Sequence, residues 1–486
     1  MNLDTKNLPP EVAAYIRSLE QKNQQLEKQL VKLQSLNEQL VKMRKRMFGQ
    51  SSEQIQYVDA RQLDLFNEAE VCSDASAPEP GKTTPVKAHA RNAKRTKEEL
   101  TEGLEHKKVV CELPEQERIC AKCGSAMVRI GEKFVRSELV IVPAQVYMVD
   151  YYAASYKCAH CEAQTGESYI RQAQAPVPVM KKSMAAPSTV AYVMQEKFQN
   201  GVPLYRQEAY WKGQGVELRR NTMANWVIRS ARWFRPLYEL LRKELLRQDI
   251  VNVDETRVHV LKEDGRESRQ MSQMWVFCSA EKKIALYQYS PSRSGRVARE
   301  MLQGFSGYTQ TDGYSGYHCL DPVTHVGCWA HARRKWVDCF VDGKPVQGSR
   351  SEAAFGLIEE MFALEQAWKD ESPQARFDLR QQKLRPLLEQ YWALLDSFEA
   401  AEGTALSKAK NYSLNQKDAL NAVLLDGRLE LTNNLAERTV KPFVMARKNF
   451  LFCDTAKGAD ASALCFSVME TAKRNGLNPF GYLLFL

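Results

Sequence analysis

The chain has 486 residues, too many for one ordinary hydrophobic core, so several domains are expected. Lys and Arg number 68 against 59 Asp and Glu, a net charge of +9, and the excess gathers between Lys82 and Lys108, which suits a polyanionic partner. The first residues lack an apolar signal region and no run of ~18 apolar residues occurs, so neither secretion nor a membrane span is expected and the cytoplasm is the expected compartment. The 12 cysteines do not form a small, dense framework, which favours reduced thiols and a metal site over disulfides.

In chain order, residues 1–50 carry a heptad pattern. Leu19, Leu26, Leu33, Leu40 and Met47 fall at one seam position and Ile16, Asn23, Leu30 and Asn37 at the other. This predicts a coiled coil, with seam Asn residues fixing register in a parallel dimer, and so a homodimer or higher assembly; a lone amphipathic helix is the alternative. Residues 51–108 read as a basic linker or arm, with the Ser, Ala, Pro, Lys and Arg of 72–97 lacking any periodicity.

Residues 109–175 contain Cys120-Ala-Lys-Cys123 and Cys158-Ala-His-Cys161. Each pair sets two thiolates on one tight turn, and two such turns complete a closed tetrahedral site for structural Zn2+. His160 is an alternative ligand. Phe134–Val142 and Gln145–Tyr152, rich in Val, Ile and Tyr and broken at Pro143, predict a hairpin between the knuckles.

Residues 176–247 predict three helices at Ser188–Asn200, Leu204–Lys212 and Asn221–Trp233, with Gly215 in the second turn. The layout resembles a helix-turn-helix whose third helix offers Arg219, Arg220, Asn221 and Asn225 to DNA; plain three-helix packing fits the same pattern.

Three acidic motifs occupy the second half of the chain. Val-Asp254-Glu255-Thr and Thr-Asp312-Gly-Tyr stand at the ends of strand-like runs, and Asn433-Asn434-Leu-Ala-Glu437-Arg opens a helix. Asp254, Asp312 and Glu437 together read as a carboxylate triad, because phosphoryl transfer on nucleic acid needs hard oxygen ligands for divalent ions, and a pair of ions can clamp the attacking and leaving oxygens. Singly, each is also an ordinary cap or turn residue. Strand alternation points Glu255 to the face opposite Asp254.

Strands at Asp249–Asp254, Gln273–Ser279, Lys283–Tyr289, Gly307–Asp312 and Thr324–Cys328, with a helix at Arg293–Gln303, give the order β-β-β-α-β-β of a ribonuclease-H-like core. The expected fold class is thus α/β multidomain. Its core begins at 248–340, is interrupted by a helical insertion at 341–430 (helices at Ser351–Asp370 and Ala375–Glu402), and resumes at 431–486 with the Glu437 helix. His331, Arg333, Arg334 and Lys335 open a helix beside the expected site and are candidate phosphate contacts, as are Arg438 and Lys441. His325, Cys328 and His331 recur every three residues, but ligands at that spacing across a strand-helix junction are expected to diverge.

These motifs resemble the IS66 family of insertion-sequence transposases, of the DDE type. The similarity rests on Val253-Asp-Glu-Thr256, Thr311-Asp-Gly-Tyr314, Cys328-Trp-Ala-His-Ala-Arg-Arg-Lys-Trp336, Asn433-Asn-Leu-Ala-Glu-Arg438 and Leu204-Tyr-Arg-Gln207 with Gly215-Val-Glu-Leu218, and it spans nearly the whole chain in the family's order. It implies a recombinase that binds terminal inverted repeats and target DNA, uses Asp254, Asp312 and Glu437 with two Mg2+ ions, cuts the element end and attacks target DNA with the released 3′-hydroxyl. It also implies small accessory proteins and a place on the bacterial nucleoid. The family runs on past Asn475-Gly-Leu-Asn-Pro479 and Tyr482-Leu into a short tail, whereas this chain stops at Leu486. Two alternatives stand beside transposition: a truncated or inactive DNA-binding derivative, and a ribonuclease-H-like nuclease that cuts without joining.

Overall fold

The computed structural model describes residues 146–157, 170–174 and 176–486, with scattered helical positions between Tyr15 and Gln29. Most of the expected coiled coil, the basic arm and all four knuckle cysteines lie outside the described residues. The chain divides into two compact units, Val58–Asp150 and the remainder. Residues 146–150 are the described part of the former; every element named below belongs to the latter.

The strand expected over Gln145–Tyr152 does not form across 146–152. Tyr147, Met148, Tyr151 and Tyr152 are exposed, and β propensity is realised only where a neighbouring strand supplies hydrogen bonds and a packed face. Among the described residues the nearest pairing is later, between β1 (Ser155–Lys157) and β2 (Ile170–Gln172), antiparallel with Tyr156 opposite Arg171.

Three helices come next: α1 (Pro187–Phe198, Pro at its first turn), α2 (Leu204–Gly213) and α3 (Arg220–Ala231). They match the predicted positions within two residues. Gly215 has φ +82°, a left-handed conformation that a Cβ disfavours, and turns the chain from α2 toward α3. Through α4 (Arg235–Leu245) the chain enters the sheet. Val193, Met194, Phe198, Met223 and Trp226 are buried in the same hydrophobic core as the sheet strands.

The sheet has the order β5-β4-β3-β6-β7, where β3 is Ile250–Lys262, β4 Met271–Cys278, β5 Ala285–Ser290, β6 Tyr308–Gln310 and β7 Thr324–Val326. The first three are antiparallel; β6 and β7 run parallel to β3. The helix α5 (Arg296–Met301) connects β5 to β6. One expectation is corrected here. Asp254 does not end a strand: β3 continues through Val258 and Val260, whose alternating burial marks one face of a sheet. The far end of β3 is paired by β8 (Cys453–Thr455).

Beyond β7, α6 (Trp329–Val337) leads into the helical insertion: α7 (Arg350–Ala367), α8 (Pro373–Leu379), α9 (Arg385–Asp396), α10 (Ala405–Asn415) and α11 (Lys417–Asn421). A second core fills it, centred on Trp329, Trp336, Tyr391 and Trp392. Three indole N–H groups there have partners: Trp329 donates to the Leu420 carbonyl (3.0 Å), Trp336 to the Tyr391 hydroxyl (2.8 Å) and Trp392 to Asn421 Oδ1 (2.9 Å). The chain then returns to the sheet as α12 (Asn434–Phe450), and α13 (Ala456–Arg474) lies over β5. Ser467 Oγ accepts from the Tyr287 N–H (2.8 Å) and Thr471 Oγ1 from the Ala285 N–H (3.1 Å), so hydroxyls of a helix satisfy an edge strand that would otherwise offer open backbone groups. The chain ends in α14 (Pro479–Phe485). Among the described residues no helix is long and apolar enough to cross a membrane.

The long helix predicted over Ala375–Glu402 is interrupted by a π turn at Arg380–Leu384. Arg380 is fully buried there. Its guanidinium binds both oxygens of Glu365 (2.6 and 2.8 Å) and donates to the carbonyls of Val423, Asp426 and Leu429. Replacing it leaves the buried Glu365 carboxylate with Arg376 alone (2.9 Å) and three carbonyls without their guanidinium donor, so Arg380→Ala is expected to destabilise the protein by about 3 kcal/mol. Urea unfolding of the two proteins measures this, and a loss below about 1 kcal/mol would contradict the structural role.

Candidate functional site

The site grows from the point where β3 and β6 part. Their parallel register ends at Asn252 opposite Gln310, and two residues further along the two chains stand Asp254 and Asp312. Because side chains alternate along a strand, Asp254 lies on the same side of β3 as Asn252. After Gln310 the chain turns. Asp312 Oδ1 accepts from the Tyr314 N–H (3.0 Å), closing an Asx turn. Gly313 is required by a close approach: a Cβ there would come within 2.7 Å of the Tyr412 ring of α10.

The third acid is placed by Asn433, which is buried at the N-cap of α12. Its Nδ2 donates to the Val253 carbonyl (2.8 Å), its Oδ1 accepts from Asn252 Nδ2 (2.9 Å) and its backbone N–H donates to Cys328 Sγ (3.3 Å). One side chain thereby ties the start of α12 to the residues preceding Asp254 in β3. Glu437 lies in the first turn of that helix.

Asp254 feels several neighbouring acids. Asp254 is pushed up to about 8, first by burial, then by Glu255, with Asp312 and Glu437 adding to the rise; the Glu255 N–H on its Oδ1 (2.8 Å) opposes it. Glu255, expected on the opposite face, has a side chain only 2% exposed and is bound by the Tyr317 hydroxyl and by Arg293, whose Nε donates to Oε1 at 2.7 Å. Arg293 also stacks 3.9 Å over the Tyr314 ring. Burial raises Glu255, and Tyr317 and Arg293 hold it down.

A neighbouring group was not foreseen. Cys328, with extended backbone, caps α6, and His331 stands at the third position of that helix. A cap residue and the third helical residue share a side, as in a capping box, so the two do not diverge as expected. Cys328 Sγ, a nitrogen of His331 and an oxygen of Glu437 all lie within 4.8 Å of one another, and His331 Nδ1 is 3.9 Å from Glu437 Oε1. His325 takes no part in that group. Burial lowers His331, helped by Arg334, while Glu437 and Asp312 act against it.

The candidate DNA contacts divide. Arg219, Arg220, Asn221 and Asn225 are all exposed around the start of α3, with Arg219 in a surface ion pair with Glu217 (3.1 Å). Arg334 and Arg438 are exposed and Lys441 is partly buried. Arg333 turns instead to the insertion, pairing with Glu359 and stacking over Phe355 at 4.9 Å.

Two measurements test this geometry. Asn433→Ala leaves the Val253 carbonyl and the Asn252 amide without their partner, and should cost about 2–3 kcal/mol in chemical denaturation; an unchanged midpoint would show that the clamp is dispensable. For Asp254, the folded protein keeps a proton that the unfolded chain releases in the ordinary carboxyl range. Its contribution is therefore fully present below about pH 4 and is lost as the pH rises through about 8. Asp254→Asn should flatten that decline, with stability above pH 8 raised on the order of a few kcal/mol relative to the parent; parallel stability-pH curves would refute the burial of this acid.

Residues 182–461 match the IS66 transposase family, residues 117–162 the zinc-finger binding domain of transposase IS66, and residues 35–109 the Transposase C of IS166 homeodomain. The chain is also similar to uncharacterized proteins of Sinorhizobium fredii: y4jD, 31% identical over 469 residues (92% of this chain, 89% of that protein), y4qI, 28% over 416 (81% and 74%), and y4hP, 25% over 484 (92% and 84%). With more than half of its length matched in one piece, the chain belongs to the IS66 transposase family.

Proposed function

We propose that this protein cuts DNA at the ends of an insertion sequence and joins the freed 3′-hydroxyl to target DNA, using Asp254, Asp312 and Glu437 on a ribonuclease-H-like core. The observation that carries this reading is the field at Asp254: a carboxyl raised first by burial, then by Glu255, and further by Asp312 and Glu437. Glu437 Oε1 is buried with no hydrogen-bond partner, as a carboxylate oxygen awaiting a cation would be. The donor set is hard oxygen, which fits Mg2+. The strand order, three antiparallel strands and then two parallel to the first, supports the core assignment.

Bound as a pair, magnesium ions would supply the positive charge that stabilises the attacking and leaving oxygens of the scissile phosphate. The chain's own residues do the rest. Asn433 fixes the helix that bears Glu437; the turn closed on Asp312 by the Tyr314 N–H fixes the second acid; Arg293 neutralises Glu255, so that Asp254 is left to act as ligand. His331, Arg334, Arg438 and Lys441 border the acids and suit contacts to phosphates of the element end, with Arg219, Arg220, Asn221 and Asn225 on α3 reading DNA; Arg333, with its carboxylate partner, suits this role least. Cys120, Cys123, Cys158 and Cys161 fall inside the matched zinc-finger stretch and would hold structural Zn2+. Dimerisation through the N-terminal heptads, accessory proteins and action on the nucleoid in the cytoplasm complete the proposal.

With an oligonucleotide carrying the element end and Mg2+, the parent protein should yield joined products. Asp312→Asn should lower joining by about 10³-fold or more while gel-shift binding persists. Joining retained by Asp312→Asn removes the triad. Cut but unjoined products from the parent identify a nuclease, and binding without any cut identifies a DNA-binding derivative.

A further inference from the structure

The unforeseen group beside the acids has the composition of a different kind of metal site. We propose that Cys328 Sγ, His331 Nδ1 and Glu437 Oε1 form a three-ligand site for a borderline divalent ion of the Zn2+ class, separate in chemistry from a magnesium set although Glu437 is common to both. That shared membership rests on the function proposed above; the ion site itself does not.

Two independent observations support it. Cys328 Sγ, a ring nitrogen of His331 and a carboxylate oxygen of Glu437 already lie within 4.8 Å of one another, about an ångström wider than neighbouring ligands on one tetrahedral ion, a gap that small side-chain shifts close. In addition, His331 Nδ1 and Glu437 Oε1 are both buried atoms without a hydrogen-bond partner, although 3.9 Å from each other. Two orphaned polar atoms facing one point cost free energy unless something bridges them, and a cation does so for both. The donor types select the ion. Sulfur and imidazole nitrogen bind Mg2+ poorly and suit Zn2+ or Co2+.

The surroundings are those of a supported thiolate. The Asn433 N–H donates to Cys328 Sγ at 3.3 Å, and the cap position of α6 adds the positive end of a helix. Without an ion, burial pushes the Cys328 thiol up to about 11, so the group is protonated at neutral pH. Ligation replaces the S–H bond by a sulfur–metal bond and releases that proton to solvent. Asp312 adds negative charge on the side of His331, while Arg334 and Lys335 oppose a cation. Three protein ligands leave a fourth position for a water or a substrate oxygen, the pattern of an open site.

The test counts ions in the full-length protein with its own zinc retained. The chain is loaded with Co2+, passed through a desalting column and analysed for cobalt, and its near-ultraviolet spectrum is read for thiolate-to-cobalt charge transfer. The parent should retain about one further ion per chain and show that band, as expected for a site of one thiolate and one imidazole. Cys328→Ser and His331→Ala should each lose most of the extra cobalt, and Cys328→Ser the band as well. His331 is partly exposed, so His331→Ala decides the matter if Cys328→Ser fails to fold. A parent that retains no extra cobalt, or a folded His331→Ala that retains as much as the parent, overturns the site. Neither readout involves DNA cleavage, so the site and the proposed reaction stand or fall separately.

Discussion

The buried amide of Asn433 is the constraint on which the site depends. Its two hydrogen bonds reach two residues of β3, and the backbone N–H of the same residue reaches the cap of α6, elements that come from quite different parts of the chain. An amide offers a donor and an acceptor in fixed relation, so it can satisfy the Val253 carbonyl and the Asn252 amide at once only in one orientation of α12. A carboxylate in its place would present acceptors alone to a carbonyl. The geometry of Glu437 relative to Asp254 is thus set by a neutral group that adds no charge to an already acidic neighbourhood.

That acidity costs stability. Asp254 lies in a sheet among Glu255, Asp312 and Glu437, and like charges gathered in a partly buried place favour protonation over separation. The fold answers selectively. Glu255 receives Arg293 and Tyr317, while the oxygen of Glu437 that faces His331 receives nothing. A structural cluster would be expected to satisfy each of its members; here one acid is neutralised and another is left wanting a cation. Local frustration of this kind is what a binding site retains and a core removes.

Much of this was legible in the residues, and what was not has a physical reason. The helices α1 to α3 and α7 follow from apolar spacing, and the insertion from a stretch of helical periodicity without strand signals. The continuation of β3 past Asp254 was also written in the alternation of Val258 and Val260, but the acidic pair drew the expected strand end to itself. Asn433 could be seen as part of a motif, not as a clamp, because its partner Asn252 lies 181 positions earlier and only the sheet brings them together. The spacing of Cys328 and His331 predicts divergence because a strand and the helix that follows it in general run in independent directions. At a helix start they are not: the cap residue and the third residue belong to one turn. The knuckle cysteines lie outside the described residues, and for them the sequence and the family match speak alone.

The insertion is part of the site rather than an ornament on it. Tyr412 of α10 presses on Gly313, next to Asp312, and the Gly327 N–H donates to the Ala419 carbonyl (2.8 Å) where β7 ends. The Trp329 N–H donates to the Leu431 carbonyl (2.8 Å), which joins the start of α6 to the segment leading into Asn433. The turn of the second acid and the approach to the third are therefore both braced by residues between α10 and α12. Removing the insertion would free Gly313, next to Asp312, from its ring contact. The first acid sits on a long paired strand; the turn of the second is braced by α10 of the insertion, and the third is clamped to β3 by Asn433 on a segment that α6 ties down.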